Sequence, residues 1–493
     1  MKIWINQLAF DLDGPADETV LRFLRRQGLR GTKEGCASGD CGACTVMLAT
    51  PTPVSGNSCL VDDAYTTFNA CIAPVGQYAG RQLTTVEGLA RGDQLHPAQQ
   101  AMVDCHASQC GYCTPGFVVS LAALVENSVA GSAKDDDMNA DQLRATVEQG
   151  ISGNLCRCTG YRPIVDAGLQ ALSVDHQSWL GVSNTAGPLS QSTAQSTAQS
   201  TAPGVLLPSN LSELAQMRQH YPDAALIAGG TDLMLAVTQQ YQSMPNMISL
   251  KGVAELQDID VSEAATFIGA AATYRQIELA LGHRSIQLVR LLHRLGSAQI
   301  RYQGTLGGNF GNGSPIADMP PAFMVLDALL VLGNTGVAGE STRRVPVEVF
   351  YRGYRETDLA ADEFIQGVEC ETSVFDDFHR FYKNSKRIED DISSVMGAFR
   401  FCGSQQQLSL ARIAFGGMAA TPVRMPEIEA MLVAGPLDGA LIESVATALV
   451  ESLQPLTDVR ASAGYRLMMA QQMLVRALRE YQGERFIDIT EAV

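Results

Sequence analysis

Basic residues are in short supply in this chain. Its 493 residues carry 35 Lys and Arg against 52 Asp and Glu, a formal net charge of −17. Nucleic acid and anionic membranes are bound through a basic footprint, so neither is expected as a partner. Long apolar runs are missing too, since none approaches the roughly 20 residues that span a bilayer. The polar start Met1-Lys2-Ile3-Trp4-Ile5-Asn6-Gln7 is no signal peptide. The expectation is a cytoplasmic protein of about two to four domains. A G-x-G-x-x-G fingerprint in a strand–helix–strand unit is also absent, so a Rossmann domain is not indicated.

Cysteine, by contrast, is plentiful. Twelve of them in a cytoplasmic chain point to metal or redox work rather than disulfides. The stretch Glu34-Gly35-Cys36-Ala37-Ser38-Gly39-Asp40-Cys41-Gly42-Ala43-Cys44 has C-x4-C-x2-C spacing. That is the plant-type pattern in which three thiolates of one loop and a fourth from a distant strand hold a 2Fe–2S cluster. Cys71 is the best-placed fourth ligand and Cys59 its competitor. A structural zinc knot is the bland alternative, disfavoured by the four residues between the first pair. A second set follows, with Cys110 and Cys113 in Ser108–Gly116 and Cys156 and Cys158 in Asn154–Pro163. These four thiolates from two helix starts suffice for a second cluster. Alone the pattern also suits zinc; beside the first set, two redox centres make a conduit that zinc would interrupt.

Residues Lys2 to Asp13 read as two short strands and a turn, and Thr19 to Gly28 as a helix burying Val20, Leu21, Phe23 and Leu24. Cys44 to Leu48 is the next strand. Thr84-Thr85-Val86-Glu87 reads as a capping box, and His96-Pro97 opens a helix with proline in its first turn. Thr114 caps a helix that is apolar nearly all round from Phe117 to Val125, so it belongs inside a bundle. Ser183 to Gly204 loses its large apolar residues apart from Leu189 and repeats Ser-Thr-Ala-Gln, the composition of a flexible tether. Leu226-Ile227-Ala228-Gly229-Gly230-Thr231-Asp232-Leu233 is a buried strand entering a glycine turn, with a helix from Leu233 to Gln240. Backbone N–H groups at such a turn can meet a pyrophosphate, although an ordinary strand–turn–helix has the same signature. A second turn, Gly304-Thr305-Leu306-Gly307-Gly308-Asn309, precedes Asp318, and two such turns can clamp one dinucleotide. Beyond Asp391, Leu408–Gly417 reads as strand, and Pro426–Val433, Leu441–Leu453 and Ala463–Arg479 read as helices.

Cys36 to Cys44, Gln109 to Gly116 and Gly153 to Pro163 together resemble the iron–sulfur half of the xanthine dehydrogenase and aldehyde oxidase family, the molybdenum hydroxylases. Both glycine turns resemble the FAD domain of the same family. The resemblance implies an α+β multidomain fold. A β-grasp, ferredoxin-like 2Fe–2S domain occupies 1–80, a helical-bundle 2Fe–2S domain 81–175 and a linker 176–204. A vanillyl-alcohol-oxidase-like FAD-binding α/β domain then covers 205–385 and a small C-terminal α+β domain 386–493. It implies that Cys36, Cys41, Cys44 and Cys71 hold the cluster nearer the flavin, and Cys110, Cys113, Cys156 and Cys158 the one nearer molybdenum. By the same resemblance Gln109 matches a glutamine that in the family reaches the pterin of the molybdenum cofactor. Leu226, Ile227, Ala228, Gly229, Gly230, Thr231, Asp232 and Leu233, with Thr305, Leu306, Gly307, Gly308 and Asn309, cradle FAD. Asp318 bonds to it, and Ile365 and Lys383 lie beside it. Asp390, in Arg387–Ser393, is associated with NAD+ docking. Leu295 departs from the family, whose bacterial chains carry an aromatic there, and this puts nicotinamide stacking in question. Cys59, Cys105, Cys370 and Cys402 read as small buried hydrophobes.

Single-chain family members continue into a molybdopterin domain, whereas this sequence stops at Val493. The resemblance therefore implies the small subunit of a split enzyme, expected as a heterotetramer with two large molybdopterin-binding chains. Electrons from a purine oxidised in the partner would pass the Cys110-side cluster, the Cys36-side cluster and FAD to NAD+. No residue for the purine chemistry is expected here. Alternatives are the equivalent subunit for an aldehyde or other heterocycle, a free-standing iron–sulfur flavoprotein diaphorase, and a zinc-stabilised scaffold. Copurification of a large chain separates the first reading from the last two.

Overall fold

The structure, a computed structural model, describes residues 1–50, 63–130, 139–173, 178–180, 204–334 and 342–487. They form two compact units. The first comprises Met1–Pro208, Asp223–Gly252 and Gly296–Gly304, and the second Ser209–Pro222, Val253–Leu295 and Thr305–Val493. Among the described residues no helix is long and apolar enough to cross a membrane.

In the first unit, alternation around Ile3 and Ile5 forms strand β1 (Lys2–Ile5), which turns back as β2 (Leu8–Asp11). Helix α1 (Val20–Arg26) starts at Thr19, whose hydroxyl accepts from Arg22 N. Its residues Val20, Leu21, Phe23 and Leu24 are buried, each contributing about 1.5–3 kcal/mol of transfer free energy. They pack on Ile3, Ile5, Val46, Leu48, Phe68 and Leu83. With β3 (Thr45–Ala49), β4 (Tyr65–Asn69) and β5 (Gln82–Thr84), the sheet runs β2-β1-β5-β3-β4. Strands β1 and β5 are parallel and the other pairs antiparallel. A helix on this mixed sheet is the β-grasp arrangement expected.

Four helices follow: α2 (Pro97–Asp104), α3 (Thr114–Ala130), α4 (Ala140–Ile151) and α5 (Arg162–Ser173). Phe117, Val119, Leu121, Ala122 and Val125 of α3 lie inside their common core, as the all-round apolar pattern requires. The capping box expected from Thr84 to Glu87 does not form, because Thr84 is the last residue of β5. Asn6, across the β1–β2 turn, donates to the Thr85 hydroxyl at 2.9 Å, and the segment Val86–Gly88 is a single 3-10 turn. The box forms instead at His96, whose Nδ1 accepts from Ala98 N while Gln99 accepts from His96 N.

His96 Nε2 meets Glu126 Oε1 at 3.2 Å, both side chains fully buried. The same carboxylate accepts from Ser178 Oγ, Trp179 N and Leu180 N, and so ties the residues after α5 back onto α3. Burial alone raises the Glu126 pKa, but the His96 bond and the donors from Leu180 and Ser178 outweigh it and leave the pKa lowered. The anchor's stabilisation is therefore present above the ordinary glutamate pKa and lost as pH falls through the lowered value. Glu126→Ala, which strands several buried donors, is expected to cost about 3 kcal/mol and to open a protease cut at 178–180. A thermal midpoint and digestion pattern equal to wild type would contradict the anchor.

The first unit ends in a small parallel sheet, β6 (Val205–Leu206), β7 (Ala225–Ile227) and β8 (Met247–Ser249), in the order β6-β8-β7.

The second unit holds β9 (Ile259–Val261), β10 (Ala265–Gly269), β11 (Leu329–Asn334) and β12 (Thr342–Pro346). The hairpin β13 (Tyr351–Gly353) and β14 (Glu356–Thr357) stands beside them in sequence, followed by β15 (Glu363–Glu371). Its first sheet runs β12-β11-β15-β10-β9, every pair antiparallel. A second sheet is a meander of β16 (Phe378–Asn384), β17 (Val395–Ser404), β18 (Gln407–Gly416) and β19 (Val423–Arg424). Helices Pro426–Ala434, Gly439–Ser452 and Ala463–Tyr481 cover it through Ile428, Leu432, Val445, Leu449, Leu474 and Leu478.

Candidate functional site

The first cysteine set is assembled by strand pairing. Cys44 stands immediately before β3, and Cys71 lies in the 3-10 turn Ala70–Ile72 immediately after β4. In the β3–β4 register Thr45 faces Asn69, and Ala70 N donates to Cys44 O. Two residues far apart in sequence are thereby brought side by side. Cys71 touches both Cys36 and Cys44, and Cys36 also touches Cys41. Contact with Cys41 and Cys71 holds the Cys36 thiol far below its ordinary range, while Cys36 and Cys44 push Cys71 up. Ser38 N points at Cys36 Sγ at 3.4 Å, and Asn69 Nδ2 fixes the loop by donating to Gly39 O at 2.6 Å. Cys59 lies outside the described residues.

In the second set Cys110 touches Cys158 and Cys113 touches Cys156. Burial, then Cys156, pushes Cys113 up to about 12. Burial would also raise Cys156, but the hydroxyl and N–H of Thr159 bring it down. Tyr161 Oη accepts from Cys156 N at 3.0 Å, which holds the turn that carries Cys158. Among the described residues no three metal-ligating side chains converge on a single-ion site. Four thiols drawn from two loops in each set suit a 2Fe–2S cluster, which takes two thiolates per iron.

The two sets differ in exposure. Cys44 and Cys71 are buried, whereas Gln109, Cys110 and Cys158 lie at the surface. Beside Cys110 and Cys113 runs an apolar groove of about 510 Å³, lined in part by Val86, Met102, Val103, His106 and Pro115.

The candidate flavin residues fall into two groups, one in each unit. In the first, Leu226 and Ile227 end β7, and Gln77 Nε2 fixes the strand end by donating to Ile227 O, Ala228 O and Ser249 Oγ at 3.0–3.3 Å. A Cβ at Gly229 would stand 2.1 Å from Gln303 O, so only glycine fits this turn. Thr231, Asp232 and Leu233 continue it. The helix expected over Leu233–Gln240 is shorter, Leu235–Thr238, because Gly230 at φ +77° turns the chain and Met234 N closes back on Gly230 O.

In the second unit, Thr305 caps the helix Leu306–Gly311 by accepting from Gly308 N. Gly307 N donates to Ala270 O, and Asn309 Oδ1 is a buried acceptor with no partner among the described residues. An orphaned acceptor beside a capped helix start fits a bound polar cofactor. Asp318, 5% exposed, accepts from Lys383 Nζ at 2.6 Å and from Ser393 Oγ. Lys383 is thus half of a buried ion pair, not a solvated charge. Ile365 is buried on β15 within the same core as Leu295. Asp390 has φ +49°, and its carbonyl accepts from Arg387. The neighbouring Asp391 closes the loop by accepting from Arg387 N and Ile392 N.

Sequence reasoning missed Arg294. Its guanidinium donates to Lys383 O, Ser385 Oγ and Ile388 O, holding the loop that leads to Asp390. A basic residue directly before Leu295 was the available signal.

Residues 5–76 match the family described as 2Fe-2S iron-sulfur cluster binding domain, and 85–169 the 2Fe-2S binding domain. Residues 198–370 match the FAD binding domain in molybdopterin dehydrogenase, and 380–481 the CO dehydrogenase flavoprotein C-terminal domain. Xanthine dehydrogenase of Drosophila subobscura is 32% identical over 493 residues, covering 88% of this chain and 35% of that one. Xanthine dehydrogenase 1 of Arabidopsis thaliana is 30% identical over 481 residues, covering 83% and 34%. The chain spans about a third of the length of these relatives. Among solved structures, quinoline 2-oxidoreductase from Pseudomonas putida 86 is similar at TM-score 0.52 and 25% identity, over 57% of this chain and 96% of that one. The carbon monoxide dehydrogenase from Hydrogenophaga pseudoflava that lacks the Mo-pyranopterin moiety of its cofactor shares the fold, at TM-score 0.53 and 24% identity over 57% and 96%.

Proposed function

Because the chain belongs to the molybdenum hydroxylase family, as its iron–sulfur and FAD component, we propose that it carries electrons from a partner's molybdenum centre to NAD+ in a xanthine-oxidising enzyme. The observation that supports this reading is that two sets of four cysteines are each drawn together within one unit, in a chain that also carries both glycine turns. Cys36, Cys41, Cys44 and Cys71 would hold one cluster, and Cys110, Cys113, Cys156 and Cys158 the other. When bound, the clusters handle electrons singly, and FAD collects them and releases a pair as hydride. Leu226–Leu233 and Thr305–Asn309 would hold FAD, with Asp318, Ile365 and Lys383 beside it.

The exposed Gln109, Cys110 and Cys158, with the apolar groove next to them, support docking of a molybdopterin-binding chain on this face. The proposed assembly has two copies of each chain, which the mass of the native complex tests. The 32% identity to a xanthine dehydrogenase favours a purine. Likeness to a quinoline oxidoreductase gives a second reading, an N-heterocycle, so the complex should be offered xanthine, quinoline and an aldehyde in parallel. Faster turnover of either of the last two would replace the purine reading.

Asp390 is proposed to dock NAD+. Asp390→Ala is expected to lower NAD+ reduction about tenfold while reduction of an artificial dye persists. Equal loss of both activities would make the loop a structural element instead.

A further inference from the structure

The two cysteine loops are joined by buried polar groups that belong to neither thiol set. Leu155 N, next to Cys156, donates to the carbonyl of Cys41 at 3.0 Å. Asn154 braces this contact. Its Nδ2 donates to Gly42 O at 3.0 Å and Thr45 Oγ1 at 3.2 Å, and its Oδ1 accepts from Ser120 Oγ at 2.7 Å and Gln299 Nε2 at 3.1 Å. Gln299 comes from the 296–304 segment of the same unit, far downstream in sequence, and its Nε2 also reaches Thr45 Oγ1 and Ser120 Oγ at 3.3 Å. Asn154 is 2% exposed and Gln299 fully buried. The backbones around them touch. A Cβ at Gly42 would meet Gly153 O at 2.2 Å, and one at Gly153 would meet Gln299 Oε1 at 2.0 Å. A side chain at Gly42 would force the two loops apart, and one at Gly153 would displace Gln299.

We propose that Asn154 and Gln299 are positioning residues that lock the two cysteine loops at one separation and thereby govern electron exchange between the centres those loops hold. This rests on the reading of both thiol sets as iron–sulfur ligands. In each exchange one electron leaves one reduced centre and reduces the other, with no atom or proton transferred. Exchange falls off steeply with distance, so a network that fixes the gap also fixes the rate. Gln239 supplies the contrast. Its Nε2 donates to Cys36 O at 3.2 Å and Ala37 O at 2.9 Å, and these bonds reach the first loop alone.

The test uses the complete, cofactor-loaded complex carrying Gln299→Leu, reduced with dithionite and followed by electron paramagnetic resonance and rapid freezing. About four irons per chain and both individual signals are expected to remain. The splitting caused by magnetic interaction between the reduced centres should change, and exchange should slow about tenfold, the scale on which groups supporting metal ligands act. Gln239→Leu should shift the first signal and leave splitting and exchange as in wild type. Gln299→Glu, similar in shape but without the donated N–H bonds, repeats the measurement should the leucine variant fail to fold. Wild-type splitting and exchange in the residue-299 variants, with iron retained, would overturn the proposal. Zinc in the wild-type complex would overturn the cluster reading beneath it.

Discussion

Replacing Cys113 by serine is expected to remove one of two iron–sulfur signals, with about two of about four irons, and to lower electron flow from xanthine to NAD+ by about 100-fold or more. Cys113 is partly buried and meets Cys156 just before α3. Serine keeps the shape but presents a hydroxyl with far less affinity for iron than a thiolate. Reduction of dyes by NADH should survive, because the residues proposed to hold FAD lie elsewhere in the chain. The same substitution in a zinc scaffold would change metal content but no redox signal. Full iron content with both signals intact would remove Cys113 from the ligand set.

Lys383→Met is expected to destabilise the protein by about 3–5 kcal/mol, because it leaves Asp318 buried without its cation. The two side chains are 4% and 6% exposed and 2.6 Å apart, so water cannot take over the lost interaction. Ser393 remains as the neutral donor to the carboxylate. Changing Asp318 to leucine in the same chain should recover much of the loss, since replacing both partners removes the uncompensated charge. Thermal denaturation of the single and double variants measures both effects. A single variant within about 0.5 kcal/mol of wild type would mean that the pair contributes little. Flavin content, measured on the same samples, separates the pair's structural role from its proposed place beside FAD.

Local chemistry was legible and long-range pairing was not. The C-x4-C-x2-C and C-x2-C spacings announce their ligand chemistry within a few residues, and the helix bearing Val20, Leu21, Phe23 and Leu24 announces its face in the same way. Cys71 was already the sequence's choice of fourth ligand, but the pairing of β3 with β4 that sets it beside Cys44 was not legible there. The Thr84–Glu87 box failed because Thr84 is held in β5 by pairing with Met47 of β3, a partner distant in sequence. The helix opened by His96-Pro97 formed as read; that the His96 ring itself caps it was not legible, because histidine is an uncommon cap. The Lys383–Asp318 pair spans 65 residues and the Gln299–Asn154 contact 145, separations at which no periodicity carries a signal. Most of the stretch read as a tether lies outside the described residues, yet Ser178, Trp179 and Leu180 at its start are bound to Glu126.

The most direct test of the electron-relay account is metal and flavin analysis of the native complex, with electron paramagnetic resonance recorded after anaerobic addition of xanthine. The account predicts about four irons and one FAD per chain, two distinct reduced 2Fe–2S signals, and molybdenum in a copurifying chain. Zinc in place of iron, or clusters that ignore xanthine and reduce only with NADH, would contradict it.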